Sequence, residues 1–390
     1  MLAAGGVAGQ VAESTRRPDS YVYLAGMESE EILQRRLTRA RLALAALGVI
    51  VAVCVIAVGV TIWYWMSYLR GPSDTPFTRG PYLLRVSERE AALRWRVRGD
   101  TRVRLTAVAP DGTPVKVSGG VLRGLRADTR YAWTASVDGT AHASGSFTTP
   151  PRTLDRAVRF AVLADYGSGN DNEWAVGRVL AAQRPEFAVT AGDNSYLVAA
   201  EPFLDRNIFR PLGDLIGSTP MYVCLGDHDN FWPGPGAISR AFDIPDGGRF
   251  VAHYGPIQVV ILGDEPNEDA AIAFARTALR EPGPAVRFVA CHRPLHSGDA
   301  LLPVVREAGA AAVFCGHLHR YERRTVDGVK TFTVGTGGQG PGSLARTKAT
   351  PGAAVSLLDI GALMLEVQPG GSIGFTYLDK HGSVLDHGTI

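Results

Sequence analysis

The chain has 390 residues, 46% apolar and 20% charged, a balance that builds folded domains and excludes a disordered chain. Its net charge is +2 at pH 7, and no long basic stripe follows residue 80, so no nucleic-acid-binding surface is evident. The length accommodates two globular domains.

The first residues, 1–41, are rich in Ala, Gly, Ser and Glu and are expected to form a mobile tail with a short helix near "SEEILQRRLTRAR". From Leu42 to Leu69 there is no charged residue, and this exceeds the roughly 20 apolar residues that cross a bilayer core. The segment 42–69 is therefore expected to be a transmembrane helix. It has no amphipathic stripe, which argues against a buried core helix, and Trp63, Tyr64, Trp65 and Tyr68 gather at one end like an interfacial belt. A cleaved signal peptide would be shorter and nearer the amino terminus. Arg35, Arg36, Arg39 and Arg41 precede the helix and Arg70 alone follows it closely, so the positive-inside rule puts the amino terminus in the cytoplasm and the rest of the chain outside the cell membrane.

A Pro/Gly/Ser linker, "GPSDTP", lies within residues 70–76. Residues 77–149 then alternate apolar and polar positions between turn signals, in "YLLRVS", "AALRWRVR", "TRVRLTAVA", "YAWTASVDG" and "ASGSFTT", the pattern of a small all-β sandwich. The stretch "GLRADTRYAWTASVDG" with its closing "SFTTPP" resembles the end of a fibronectin type III module, with Tyr131 as its corner tyrosine.

From Arg156 onward the rhythm changes to short continuous apolar runs, "VRFAVLAD", "FAVTAGD", "MYVCLGD", "VVILGD", "VRFVACH" and "AAVFCGH", separated by helix-like segments such as "NEDAAIAFARTALRE". These are buried strands of an α/β layered domain. Each run ends in Asp or His: Asp165, Asp193, Asp227, Asp264, His292 and His317, with His319 two residues on. One such residue is a turn former or cap. Six at the carboxyl ends of strands, where α/β sheets bind ligands, form the donor set of a transition-metal site, and a bridging carboxylate can hold two ions.

The ordered blocks "ADYG", "GDNSY", "GDHD", "VACH" and "GHLH" resemble the calcineurin-like metallophosphoesterases, in the version found in purple acid phosphatases. The similarity covers residues 157–390 and implies a four-layer α/β (α+β) domain. Most of that superfamily has Asp-x-His in the first block; this chain has Gly167 there and supplies Tyr196 in the second block. The resemblance implies two metal ions, Fe(III) with a divalent ion such as Zn, Mn or Fe. The first would take Asp165, Asp193, Tyr196 and His319, and the second Asp193, Asp227, His292 and His317. His228 would be the proton donor to the leaving group and a metal-activated water the nucleophile, giving acid phosphatase activity on phosphate esters. The family's third block has Asn where this chain has Asp227; a carboxylate adds negative charge there, and the Asp-His-acidic order also resembles the alkaline phosphatase D branch.

Phosphodiesterase or alkaline phosphatase D-like activity, and a non-catalytic membrane-tethered adhesion module, are the alternative readings. His296 is a candidate phosphate contact, as are Arg293 and Arg320, each set against a surface salt bridge. Asp264 is expected to be a turn residue, and His142, His253, His381 and His387 structural or surface residues. Cys54 falls in the apolar helix, Cys224 in an apolar run, and Cys291 and Cys315 would be able to bridge only if their strands are neighbours.

Overall fold

The computed structural model describes residues 19–70, 75–196, 198–341 and 348–390, with side chains described from residue 29 and not over 67–70. Residues 1–18 of the expected tail, linker residues 71–74, the side chain of Tyr68, and residues 197 and 342–347 of the expected catalytic region lie outside this set. The chain forms two compact units, Met1–Tyr68 and Leu69–Ile390.

The described part of the first unit is one helix, α1 (Asp19–Arg70), of 52 residues, about 78 Å at 1.5 Å per residue. Over residues 19–41 the expected tail is helical and the helix near "SEEILQRRLTRAR" is continuous with the apolar run rather than separate. No proline occurs between Pro18 and Pro72, so nothing breaks the hydrogen-bond ladder between the arginine-rich segment and the apolar run. Its span Ser29–Met66 is long and apolar enough to cross a membrane. Leu44 is 68% exposed and Trp63 69%, so the apolar side chains of α1 are not those of a core helix.

The second unit begins with β1 (Phe77–Val86), β2 (Glu90–Val97), β3 (Val103–Val108), β4 (Lys116–Ser118), β5 (Val121–Arg123), β6 (Arg130–Val137) and β7 (Thr140–Thr148). They make two antiparallel sheets, β1-β2-β5-β4 and β3-β6-β7, which close on Leu83, Leu93, Leu105, Tyr131, Trp133 and Phe147. The Tyr131 phenol oxygen accepts the backbone N–H of Arg126 at 2.8 Å, pinning the turn before β6. The short β4–β5 hairpin was not visible in the alternation. Because side chains alternate across a strand, β1 has two buried faces. Leu83 enters the sandwich core, whereas Tyr82 and Leu84 join a second core containing Leu180, Phe209 and Phe242.

The remaining chain folds as β8 (Val158–Leu163), α2 (Asp171–Gln183), β9 (Phe187–Thr190), β10 (Met221–Tyr222), β11 (Phe250–Tyr254), β12 (Ile257–Ile261), α3 (Asp269–Ala278), β13 (Val286–Ala290), α4 (Leu301–Glu307), β14 (Ala312–Cys315), β15 (Tyr321–Val326), β16 (Val329–Val334), β17 (Ala353–Leu357), β18 (Gly361–Val367), β19 (Ile373–Asp379) and β20 (Val384–Thr389), with short helical turns between β9 and β11. Two mixed sheets result, β10-β9-β8-β18-β19-β20 and β11-β12-β13-β14-β16-β15-β17. Phe160, Phe187, Phe288, Phe314, Phe332 and Phe375 pack in the apolar layer between them. Residues of α2 cover the outside of one sheet and residues of α3 and α4 the outside of the other, giving four layers, helix-sheet-sheet-helix. The parallel strands β8, β9, β12, β13, β14 and β16 deliver their carboxyl ends to one rim.

Candidate metal centre

The strand ends bring Asp165, Asp193, Tyr196, Asp227, His292, His317 and His319 into one cluster. The Tyr196 hydroxyl donates to Asp165 Oδ1 at 3.1 Å and lies 3.1 Å from His319 Nε2, while His319 Nε2 is 3.3 Å from Asp165 Oδ1. On the other side, His292 Nε2 lies 2.9 Å from Asp227 Oδ1 and 3.3 Å from Asp193 Oδ1, and His317 Nδ1 lies 3.4 Å from Asp227 Oδ1. Donor atoms of Asp227, His292 and His317, and those of Asp165, Asp193 and His292, fall within 4.8 Å of one another. His292 is common to both sets, and Asp193 joins the two sides, 3.3 Å from His292 Nε2 and close enough to bear on the Tyr196 phenol.

The backbone is bent to make this cluster. Asp165, Asp193 and His317 adopt φ of 54°, 53° and 71°, a left-handed conformation that L-residues rarely hold without compensation. Part of the compensation is hydrogen bonding: the N–H of His317 donates to Asp165 Oδ2 at 2.8 Å, and that of His228 to Asp193 Oδ1 at 3.0 Å. Small residues pave the floor. A Cβ on Gly192 would come within 2.2 Å of His292, on Gly226 within 2.3 Å of Asp193, and on Gly316 within 2.4 Å of Asp165.

At Gly167, where the resemblance leads one to expect histidine, the packing leaves no room for a side chain. A Cβ at this position would lie 1.7 Å from the Asn194 carbonyl oxygen, because the 194–196 loop fills the space a side chain needs. The Tyr196 N–H donates to the Gly167 carbonyl at 2.7 Å. The same close approach that forbids a side chain at 167 carries the Tyr196 hydroxyl to Asp165.

The electrostatics fit a cation site. Burial lifts the Asp193 carboxyl to about 8, against the nearby His292, with Asp165, Asp229 and Asp227 adding to the rise. For His292 burial acts downward, but the hydrogen bond to Asp227 and the Asp165 and Asp193 carboxylates prevail and raise it to about 10. Hydrogen bonds from His292 and His317 hold Asp227 far below the usual carboxylate range. Burial, then the Asp165 and Asp193 charges, push the Tyr196 phenol strongly upward. Protons shared among crowded acids and imidazoles are what bound metal ions displace. The His292 Nδ1–H faces the Ala191 carbonyl at 2.9 Å, which fixes the tautomer and leaves Nε2 toward the carboxylates, the usual second contact of a metal-binding histidine.

Over the cluster lies a cavity of about 850 Å³. His228, exposed and with its ring 4.6 Å from that of Tyr196, lines it together with His296, Arg293, Arg320 and Lys348. Leu318, Pro294, Pro351 and Leu358 form apolar walls. A second cleft of about 780 Å³, around Ser239, Arg240 and Arg249, is lined by no histidine. Arg293 pairs with Asp264 at 3.2 Å and Glu265 at 2.8 Å, so Asp264 is an ion-pair partner rather than a turn residue alone. Arg320 is buried and 3.2 Å from Glu322, so it is not a surface salt bridge. His142, His253, His381 and His387 are exposed. Cys291, just past β13, and Cys315, at the end of the neighbouring β14, come together as free thiols with sulfurs 3.6 Å apart.

Two supporting residues escaped the sequence reading. Asp229 is fully buried and accepts the N–H groups of Asn194 at 3.1 Å, Ser195 at 3.1 Å and Gly226 at 2.9 Å, tying two ligand loops together. Burial raises its carboxyl to about 6, against those hydrogen bonds. Its signal was the spacing in "GDHD": two residues apart on a helical turn is about 200° of rotation, so both acids cannot face one site. Asn207 donates to Ser195 Oγ and the Tyr196 carbonyl, each at 3.2 Å.

Residues 158–321 match the calcineurin-like phosphoesterase family, so the chain contains a calcineurin-like metallophosphoesterase domain. Among solved structures it resembles the purple acid phosphatase PPD1 from yellow lupin (Lupinus luteus) seeds, with a TM-score of 0.64 at 15% identity, over 80% of this chain and 73% of that one. It also resembles PhoD, with a TM-score of 0.59 at 13% identity, over 82% and 90%. At such identities the likeness is one of fold. No curated protein matches the sequence.

Proposed function

We propose that the protein is a membrane-anchored binuclear metallophosphoesterase that hydrolyses phosphate esters as an acid phosphatase. The observation that carries this is that two donor groups, Asp165–Asp193–His292 and Asp227–His292–His317, meet at His292 with Asp193 beside it. One ion would be held by Asp165, Asp193, Tyr196 and His319, the phenolate suiting Fe(III), and a divalent ion by Asp193, Asp227, His292 and His317. Such a pair supplies Lewis acidity toward phosphoryl oxygens and lowers the pKa of bound water. The chain's own groups do the rest: Asp193 accepts the His228 N–H and so fixes the start of that residue's helical turn, and the His228 ring is at the cavity mouth, where a proton is needed by a departing alkoxide. Arg293, His296 and Lys348 add positive charge or donors for phosphate at the rim.

A second reading, alkaline phosphatase D-like or phosphodiesterase activity, is favoured by the carboxylate at Asp227 and the fold likeness to PhoD. Hydrolysis of p-nitrophenyl phosphate and bis(p-nitrophenyl) phosphate at pH 5 and pH 9, with metal analysis before and after chelation, separates these. Monoester activity strongest at pH 5 and lost on chelation is expected; no hydrolysis of either ester with both metals bound would leave a non-catalytic binding module. For α1 we propose a single membrane crossing with the amino terminus in the cytoplasm, supported by its arginines before Leu42. External protease should remove the large domain from intact cells, and protection of that domain would overturn the orientation.

A further inference from the structure

The sandwich is bound to the catalytic layers by more than apolar contact. Arg79 on β1 is 6% exposed; its Nε donates to Asp205 Oδ1 at 2.6 Å and its Nη2 to Glu201 Oε2 at 2.8 Å, while its guanidinium lies 4.0 Å from the centre of the Phe209 ring. These partners belong to the wide helical turn Asp205–Phe209 and the helical turn before it. Such π-turns frequently mark functional positions. Three consecutive side chains of this turn go three ways. Asp205 meets the sandwich, Arg206 donates to the Ser168 carbonyl at 2.9 Å in the loop after Asp165, and Asn207 donates to Ser195 and to the Tyr196 carbonyl. Arg206 also donates to Asn207 Oδ1 at 2.6 Å, which orients the amide toward the tyrosine loop.

We infer that the β-sandwich is part of the frame of the site: Arg79 is a positioning residue that fixes the turn Asp205–Phe209, and through Asn207 that turn holds Tyr196 against Asp165 and His319. The catalytic meaning of this link rests on the proposed metal centre; its structural content does not. Arg79 is the cation that closes the chain, because Asp205 is buried and its other guanidinium, that of Arg96, lies 3.6 Å away and is half exposed. A buried carboxylate without its partner must move or protonate, and either change releases the turn that carries Asn207.

The test is amide hydrogen exchange on the full chain in detergent after chelation, so that it is independent of catalysis. Arg79→Met should speed exchange at the Tyr196 amide and across residues 205–209 at least tenfold while leaving β8 and β9 unchanged, and Asn207→Ala should reproduce the change at Tyr196. Asp205→Asn, which keeps the shape and loses the charge, should give a smaller effect in the same places and serves if Arg79→Met does not fold. Trp133→Phe removes another buried contact of the sandwich, the indole N–H to the Gly217 carbonyl at 3.0 Å, and should leave the Tyr196 amide as in the wild type. Wild-type exchange at Tyr196 in the folded Arg79 and Asp205 variants, or an equal rise in Trp133→Phe, would overturn the inference. Absence of phosphate-ester hydrolysis by the wild type would overturn the proposed function instead and would not alter these exchange rates.

Discussion

Gly167→Ala tests the packing that places a tyrosine at this site. The new Cβ would lie 1.7 Å from the Asn194 oxygen, 2.1 Å from its carbonyl carbon and 2.6 Å from the Ser195 nitrogen. All three are backbone atoms, so no side chain can rotate away and the 194–196 loop must shift. Overpacking costs about 1–3 kcal/mol, and the upper end applies to a clash with main chain. Loss of the 2.7 Å bond from the Tyr196 N–H to the Gly167 carbonyl adds about 1 kcal/mol. A total of roughly 3–4 kcal/mol, at about 2–4 °C per kcal/mol for a domain of this size, lowers Tm by about 6–16 °C. Thermal unfolding of the chelated protein measures this, with Gly80→Ala as comparator, since a Cβ at Gly80 meets nothing within 4 Å. The displaced loop should also weaken metal binding. A Gly167→Ala protein melting within about 1 °C of the wild type would refute the account of the packing at Gly167.

Tyr196→Phe keeps the ring against His228 and deletes only the oxygen, so an iron-loaded protein should lose its visible phenolate absorption; an unchanged spectrum with full iron would exclude Tyr196 as a donor. Asp193→Ala should lower occupancy at both metal positions, read by metal analysis, and retention of one full-affinity ion together with activity would contradict its shared role. His228→Ala should keep both metals and slow turnover more than tenfold, most for poor leaving groups, whereas metal loss equal to that of a donor variant would remove the proton-donor assignment. Glu173 on α2 is fully buried, and burial lifts its carboxyl well above the ordinary 4.5 despite the Gly169 N–H and Arg206. The folded state therefore holds that proton more tightly than the unfolded state, so its contribution is complete below about pH 4.5 and is lost as pH rises. Glu173→Gln should gain Tm relative to the wild type at pH 8 and not at pH 4.5; a difference independent of pH would refute this.

The reach of sequence reasoning followed the range of the interactions. Buried parallel strands write continuous apolar runs, and the Asp or His after each run falls at the sheet rim by geometry alone, so the cluster around Asp193 could be assembled from one-dimensional signals. The length of α1 could also be read, once the absence of proline between Pro18 and Pro72 was given its full weight. Three-residue strands such as β4 and β5 are too short to show alternation. Asp229, Arg79 and Asn207 act through partners set by tertiary packing, 126 residues apart for Arg79 and Asp205, and no local pattern encodes them. The two readings of Arg320 stayed open for a related reason: whether a charged residue beside a donor is exposed depends on the strand that covers it, and Arg320 is 6% exposed.

The glycine-paved floor divides this chain into parts that evolution can and cannot revise. At Gly167, Gly192, Gly226 and Gly316 the smallest possible addition collides with a donor residue or with main chain, so the donor cluster is locked to a handful of positions with no permitted neighbours. In the cavity wall above them the constraint loosens: Leu358 is 38% exposed and Leu318, Pro294 and Pro351 stand beside it. Side chains there can be exchanged without touching the floor. Change in descendants of this protein would accordingly collect in the cavity wall, leaving an unaltered donor cluster beneath a surface free to diversify.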